Sequence, residues 1–323
     1  MKAVVVDESG LNVQEVESPK PSPTEILIRV KSCGLNRADS MMADGLAHGS
    51  IGGSGTILGF EFAGEVVEIG SQVQVFKPGS RVMCMGFRGW AEFAVVDWRR
   101  AIEIPDNFDW AVAATLPSAL LTMHNALLTA GRLQAGESVL IQGASSGVGL
   151  MGMQIARAMG AKLVIGSSTN PERRASLAKF GADLAVDSRD AQWVDQVLDA
   201  TAGQGVDLIV DQISGYVANQ NLAATRVLGR IVNVGRLGGE TGEFNFDLHA
   251  ARRIDYIGVT FRTRSIREVH VIVDAMQHDL WEFITAGDLS LPIDREFTLN
   301  QANEAVEYMK TNQHFGKIIF TVS

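Results

Sequence analysis

The sequence predicts an α/β protein in which a doubly wound parallel sheet follows a β-rich opening third, and three observations carry that expectation. From residue 139 onward, short apolar runs alternate with segments of helical spacing, the rhythm of successive βαβ units. The opening third instead holds short runs rich in Val, Ile and aromatics. These are punctuated by stretches such as Pro19-Lys20-Pro21-Ser22-Pro23 and Lys77-Pro78-Gly79-Ser80. The tail ends on Lys317-Ile318-Ile319-Phe320, a strand pattern arriving after the α/β part, so the C-terminus is expected to return to the first domain. A length of 323 residues suggests about two domains of ~150 residues each.

Taken in order, strands are expected at residues 2–6, 25–33, 63–69, 81–85 and 91–96. The stretch 37–56 is glycine-rich and weakly patterned, which predicts a loop with at most a helical turn. Strand 139–141 leads into helix 148–160, where Gly152, Ala156 and Ala158 are small enough for close packing. The alternation continues with strand 163–165, helix 172–180, strand 184–186, helix 191–202 and strand 206–210. Helix 218–228, strand 230–234, a sixth strand near 256–261 and a helix over 265–286 complete it.

Hydrophobic residues at 46% and charged residues at 20% are enough to fill real cores, which argues against disorder. A net charge of −9 and a pI near 5.2 oppose nucleic acid and anionic lipid as partners. Two cysteines, Cys33 and Cys84, are too few for a disulfide framework or a four-thiolate zinc site and read as buried small hydrophobes. The opening residues read as a strand and not a signal peptide, and no apolar stretch reaches the ~18 residues of a membrane helix. A cytoplasmic location is expected. His124, His249, His270, His278 and His314 show no ligand spacing, so no metal site is expected from them.

The segment Leu140-Ile141-Gln142-Gly143-Ala144-Ser145-Ser146-Gly147-Val148-Gly149 places a small-residue turn between a strand and a helix. Main-chain N–H groups there can approach a pyrophosphate, and the helix dipole adds attraction. Tight turns also use glycine for steric reasons alone; the strand before, the helix after and the further βα units favour the phosphate reading. At the end of the second inner strand stand Gly166-Ser167-Ser168-Thr169-Asn170, then Arg173 and Arg174, where an acidic residue would bind a ribose 2′-hydroxyl. Hydroxyls and a guanidinium suit a 2′-phosphate, so NADPH is expected, with Arg173 the favoured arginine. An exposed helix face is the other reading of that pair.

With Cys33-Gly34-Leu35-Asn36-Arg37-Ala38-Asp39, Leu58-Gly59-Phe60-Glu61-Phe62-Ala63-Gly64 and Gly316-Lys317-Ile318-Ile319, the turn resembles the medium-chain dehydrogenase/reductase superfamily. The likeness covers nearly the whole chain and points to the zinc-free quinone oxidoreductase branch. It implies a GroES-like β-barrel domain, residues 1–121 completed by 290–323, and an inserted Rossmann domain, residues 122–289, with the active site in the cleft. Zinc-dependent members carry Cys, His and Cys at or near the positions matched by Asn36, Phe60 and Ser118, and only Glu61 of that constellation survives here. Asn, Phe and Ser cannot build a tetrahedral zinc site.

The resemblance implies that Asn36 lies near the nicotinamide and ribose, with Thr122 close by. Ser146, Gly147, Val148 and Gly149 would contact the pyrophosphate, Ser167 and Arg173 the 2′-phosphate, and Gly235, Thr260 and Phe261 the nicotinamide half. Read from the residues alone, Asn36 serves equally as a loop cap and Thr122 as a helix-start cap. Many branch members carry a tyrosine where this chain has Met41. That leaves Asp39, His48, Arg88, Arg262 and solvent as possible proton sources, with Asn36, Asp39 and Thr122 the candidate catalytic residues. Met41, Met42, Phe60, Phe87 and Trp90 are expected to line an apolar pocket or to be ordinary core.

Without a Lewis acid, hydride delivery favours a substrate that spreads negative charge by itself, an α,β-unsaturated carbonyl (enone or acrylate type) or a quinone. The expected function is therefore an NADPH-dependent reductase of that class. A zinc-free carbonyl reductase and a non-catalytic NADPH-binding protein are the alternatives. Relatives commonly pair at the edge formed by residues 255–263, so a homodimer is expected.

Overall fold

A computed structural model of the chain describes every residue except Ser9, His48 and Ser50. His48, one of the proton sources considered above, lies outside the described residues. The chain divides into two compact units, one of Met1–Ser118, Phe261–Thr285 and Ser290–Ser323, the other of Ala119–Thr260 and Ala286–Leu289. The helix Ile266–Ala286, which the sequence boundary assigns to the inserted domain, groups almost entirely with the first unit. There Trp98 meets the His270 ring edge-on at 5.4 Å, and Asn107 donates to the Thr285 carbonyl at 3.5 Å.

In the first unit, β1 (Lys2–Asp7) pairs with β2 (Gly10–Glu15) as an antiparallel ribbon. β3 (Glu25–Leu35) is the spine of a larger sheet that includes β4 (Glu61–Ile69), β5 (Arg81–Met85), β6 (Phe93–Asp97) and β7 (Ala101–Glu103). Ile26, Ile28 and Val30 bury alternate positions, the period that one covered sheet face demands. Register shifts against β4 at Leu27/Ile28 and Val30/Ser32 bend this strand, as bulges do. Gly64 is required on β4, because a Cβ there would lie 2.2 Å from the Arg29 carbonyl oxygen. Met42 and Trp90 are core and not pocket lining: both are buried, and Trp90 donates to the Gly34 carbonyl at 3.2 Å while packing against Phe320. Phe60 and Phe87 meet edge to face and stay partly exposed.

The second unit is a six-stranded sheet built from β8 (Ser138–Gln142), β9 (Leu163–Ser167), β10 (Leu184–Val186), β11 (Val206–Asp211), β12 (Thr225–Asn233) and β13 (Asp255–Gly258). Every pairing is parallel and the order is β10-β9-β8-β11-β12-β13. The chain therefore reverses direction across the sheet between β8 and β11, the switch point at which α/β sheets bind ligands. The helix expected over 218–228 stops at Ala224, because Thr225 turns its hydroxyl back onto the Asn221 carbonyl (2.7 Å) and opens β12. Leu228 then takes a positive φ of 63° beside the register shift of β11 on β12.

β14 (Ile293–Thr298) and β15 (Lys317–Thr321) complete the first unit in the order β14-β15-β3-β4-β5-β7, with β6 also on β3. The expected return of the tail is thus a strand pairing, Ile318 to Leu35 through Thr321 to Ser32. No helix among the described residues is long and apolar enough to cross a membrane.

Within 37–56 the structure has a seven-residue helix, Arg37–Ala43, more than the single turn expected. Asp39 explains it. Its carboxylate accepts the Asn36 N–H (2.9 Å) at the helix start and the Gly59 N–H (3.0 Å) from the loop before β4. The side chain is fully buried, and burial raises its pKa to about 7 against the pull of those two N–H donors.

A carboxyl whose folded pKa lies above its unfolded one stabilises the fold fully below the unfolded pKa and loses that contribution as pH rises through the folded value. Unfolding free energy should fall by about 3 kcal/mol between pH 4 and pH 7 on this account. Urea titrations across that range should show the slope in the wild-type chain and a flatter profile in Asp39→Asn. Identical slopes would contradict the assignment.

Candidate active site

The turn between β8 and the helix Gly147–Ala158 is shaped for close approach. Gly143 has φ +71°, and a Cβ on Gly149 would lie 2.6 Å from both the Ala144 Cα and the Gly143 carbonyl oxygen. Ser146 caps the helix, its hydroxyl accepting the Gly149 N–H at 3.0 Å. The N–H groups of Gly147 and Val148, first and second in the helix, have no intrahelical acceptor. These two donors and the positive helix end fit a dinucleotide pyrophosphate.

A buried polar chain holds that turn in place. The Gly143 N–H donates to the Ser167 hydroxyl (3.0 Å), which donates to Gln142 Oε1 (2.6 Å). Gln142 Nε2 donates to Asn221 Oδ1 (2.8 Å), and Asn221 Nδ2 to Asp211 Oδ2 (3.0 Å). Asp211 Oδ1 accepts the N–H groups of Ile213 and Ser214. Burial raises the Asp211 carboxyl above its ordinary range, with those N–H donors opposing. From the other side, Gln212 Nε2 donates to the Gln142 carbonyl, and Gln212 Oε1 accepts from the Ser146 hydroxyl, each at 3.1 Å. Gln142, Gln212, Asn221 and Asp211 were not among the expected residues. Their sequence signal is that Gln142, Asp211 and Gln212 stand at the ends of strands that are otherwise apolar, while Asn221 is a buried amide on the helix before β12.

At the tip of β9 the hydroxyls divide their work. Ser167 is spent on the turn, whereas the Ser168 hydroxyl donates to Ser145 Oγ at 3.0 Å. Of the two arginines, Arg174 folds back: its Nη1 donates to the Ser168 carbonyl (2.8 Å) and pairs with Asp187 (2.9 Å). Arg173 is half-buried, and its N–H is capped by Asn170 Oδ1 at 3.0 Å.

In the first unit, Asn36 belongs to a second buried cluster. Its Nδ2 donates to Glu61 Oε1 (2.8 Å), and its Oδ1 accepts from Lys317 Nζ (3.0 Å). Lys317 also pairs directly with Glu61 Oε1, and the other Glu61 oxygen accepts the Ser118 N–H at 2.9 Å. Glu61 is fully buried and Lys317 nearly so. Gly34 makes room, since a Cβ there would lie 2.4 Å from Glu61 Oε1. Lys317 stands 281 residues from Asn36, which is why its part was not visible in the chain order.

The remaining expected residues are dispersed. Thr122 lies in the last turn of the helix Pro117–His124, half-buried, and not at a helix start. Gly235 follows β12 and would place a Cβ 2.7 Å from the Gln212 carbonyl oxygen. Thr260 falls in the second unit and Phe261 in the first, where the Arg264 guanidinium lies 5.7 Å over its ring. Cys33 and Cys84 are buried and free, and among the described residues no group of three His, Cys, Asp or Glu could hold a metal ion.

Comparison with known proteins agrees with this fold. Residues 147–277 match the family described as zinc-binding dehydrogenase, and residues 22–106 the alcohol dehydrogenase GroES-like domain. The chain is 30% identical over 307 residues to phthioceranic/hydroxyphthioceranic acid synthase of Mycobacterium tuberculosis. It is 28% identical over 330 residues to the mycocerosic acid synthase-like polyketide synthase of Mycolicibacterium smegmatis. These alignments cover 94% and 100% of the chain but only 14% and 15% of those far longer relatives. An alcohol dehydrogenase superfamily protein from Novosphingobium aromaticivorans superposes with a TM-score of 0.89 at 28% identity, covering 100% of both chains. The CurK enoyl reductase superposes at 0.86 with 26% identity, over 100% of this chain and 99% of that one. The chain belongs to the medium-chain dehydrogenase/reductase superfamily of oxidoreductases, whose members bind nicotinamide dinucleotides.

Proposed function

We propose that this chain is an NADPH-dependent, zinc-independent reductase of carbon–carbon double bonds conjugated to a carbonyl, with quinones as a related substrate class. The observation that carries this reading is the Asn36–Glu61–Lys317 cluster. Where zinc-dependent members place metal ligands, this chain has an amide already committed to a buried ammonium and a carboxylate. A positive charge fixed beside Glu61, together with Phe60 and Ser118, is a poor donor set for Zn²⁺. The substrate must then spread its own developing charge, as an enone or enoyl ester does. The likeness to an enoyl reductase and to the polyketide synthases supports the same class.

Bound NADPH supplies the hydride. The N–H groups of Gly147 and Val148 hold the pyrophosphate, and Ser145 of the same turn, with the polar residues after β9 (Ser168, Arg173 and Arg174), faces the adenosine end. Thr122, Gly235, Thr260 and Phe261 belong to the nicotinamide half on this reading. Asn36 gives one Nδ2 hydrogen to Glu61 and has a second to offer a ligand oxygen, so it orients the nicotinamide ribose or the substrate carbonyl. Hydride addition at the β-carbon leaves an enolate, which such a donor stabilises. Asp39 acts from behind as a positioning group, because both its oxygens hold main-chain N–H groups. Solvent delivers the α-carbon proton. The β13 edge, with Tyr256 exposed, is the proposed homodimer contact, and the cytoplasm the proposed location.

Three outcomes test this reading. NADPH oxidation should be seen with enones, acrylate derivatives or quinones, should survive exhaustive chelation, and should give saturated products with the C=O intact. An allylic alcohol product would point to carbonyl reduction, and no oxidation across the panel to a non-catalytic binder. Gly149→Ala should weaken NADPH binding by about tenfold or more in calorimetry, since the added Cβ displaces the turn. Lys317→Met strands the buried Glu61 charge and should cost about 3–5 kcal/mol of stability in urea melts, part of which Glu61→Gln in the same chain should restore.

A further inference from the structure

The first unit has an open groove of about 610 Å³ that the proposed reduction does not use. It lies between the β1–β2 ribbon, with the segment that follows the ribbon, and β6. Val5, Val16 and Ile57 line one side, and Phe93 and Val95 the other. β6 pairs with β3 alone, so its second edge has no neighbouring strand. The register fixes which groups that edge presents. The Val30 N–H donates to the Glu92 carbonyl (3.0 Å) and the Trp98 N–H to the Thr24 carbonyl (3.1 Å). Arg29–Phe93 and Leu27–Val95 are therefore the non-hydrogen-bonded pairs of this ladder. The N–H and C=O groups of Phe93 and Val95 point away from β3, and none of them has a partner among the described residues. Arg88, Lys20 and Glu17 also line the groove, each exposed, and the two cations have no partner among the described residues.

We infer that this groove takes an extended acidic and apolar peptide segment of a partner protein, added as a strand to the free edge of β6. Its apolar side chains meet Val5, Val16 and Ile57, and its carboxylates meet Arg88 and Lys20. The edge selects a peptide. Free N–H and C=O groups recur there at alternate residues, and a second main chain offers acceptors and donors with the same repeat. A fatty carboxylate supplies acceptors alone and would leave both carbonyls unpaired. Charge selects the composition. Two cations without partners stand against one carboxylate, on a chain whose net charge is −9, so the groove attracts an acidic segment that the rest of the surface repels. Alternation of apolar and acidic residues matches the period of a strand. The edge is short, which keeps it from joining other strands indiscriminately and leaves the choice of partner to the side chains.

Fluorescence anisotropy of a fluorescein-labelled peptide of alternating Glu and Val, titrated with the full chain, tests this. The controls are the same peptide N-methylated throughout and one with Lys in place of Glu. Val95→Pro removes an N–H from the free edge without breaking a bond to β3. Arg88→Gly removes the guanidinium at a φ of 65° that glycine adopts readily. The Glu-Val peptide should bind saturably, and each substitution should weaken it about tenfold. Both control peptides should bind the wild-type chain about tenfold or more weakly. Circular dichroism checks that the variants fold; if one does not, the methylated peptide on the wild-type chain still decides. No saturable binding below about 1 mM, or equal binding of the methylated peptide, overturns the inference. Decanoate that binds more tightly than the peptide would assign the groove to a small amphiphile and overturn it too. A dimer that Val95→Pro abolishes, with the peptide left unbound, would give the edge to a second copy of the chain and likewise overturn it.

Discussion

The Gly143 N–H, taken by the Ser167 hydroxyl, fixes the point at which β8 gives way to a helix, and the nucleotide-binding unit is arranged around that bond. A phosphate site made of main-chain donors works only if the main chain does not move, and a turn of Gly, Ala and Ser has few side chains with which to hold itself. The holding is done from below, by Gln142, Asp211 and Gln212 at neighbouring strand ends and by Asn221 on the helix before β12. Each amide uses both its oxygen and its nitrogen. In a low-dielectric interior such a chain is costly when incomplete and rigid when complete. The arrangement lets the bare turn be both open to a ligand and stationary.

The first unit uses the opposite device, a single buried charge pair. Glu61 and Lys317 lose their hydration, and a pair of well-packed apolar residues would hold β4 and β15 together at least as well. What the ions add is direction. With Lys317 on its oxygen and Glu61 on its nitrogen, the Asn36 amide has one orientation, and exchanging O for N would set like against like at both ends. Asp39 fixes the main chain of the same residue. Asn36 is thus constrained through backbone and side chain by Asp39, Glu61 and Lys317, the last two drawn from distant parts of the sequence.

Much of the architecture was legible in the chain because its elements follow local rules. The alternation after residue 139 gave the parallel sheet, and the strand at 317–320 did return to the first unit. The turn residues were legible for the same reason: a glycine that must accept φ +71° or a 2.6 Å approach announces itself in sequence. Contacts between distant residues were not. Arg173 and Arg174 are adjacent and alike, and the bonds of Arg174 to the Ser168 carbonyl and to Asp187, 13 positions on, come from the folded chain. Trp90 and Met42 read equally well as pocket or core until the packing of Phe320 and the Gly34 carbonyl decided it. The short helix after Asn36 was hidden by its glycine-rich surroundings, since a carboxylate cap contributes one residue to a pattern search and most of the local structure.

The spine strand β3 takes neighbours from both sides of the nucleotide-binding unit. Residues 32–35 wait for partners at 318–321, so that edge stays unpaired until the intervening unit has been made. During synthesis the nascent chain therefore carries an open, apolar strand and an unneutralised Glu61, both of which invite misassociation. Only when β15 leaves the ribosome can the sheet close. A message broken shortly before those codons would yield a chain with an intact nucleotide fold and a permanently adhesive edge.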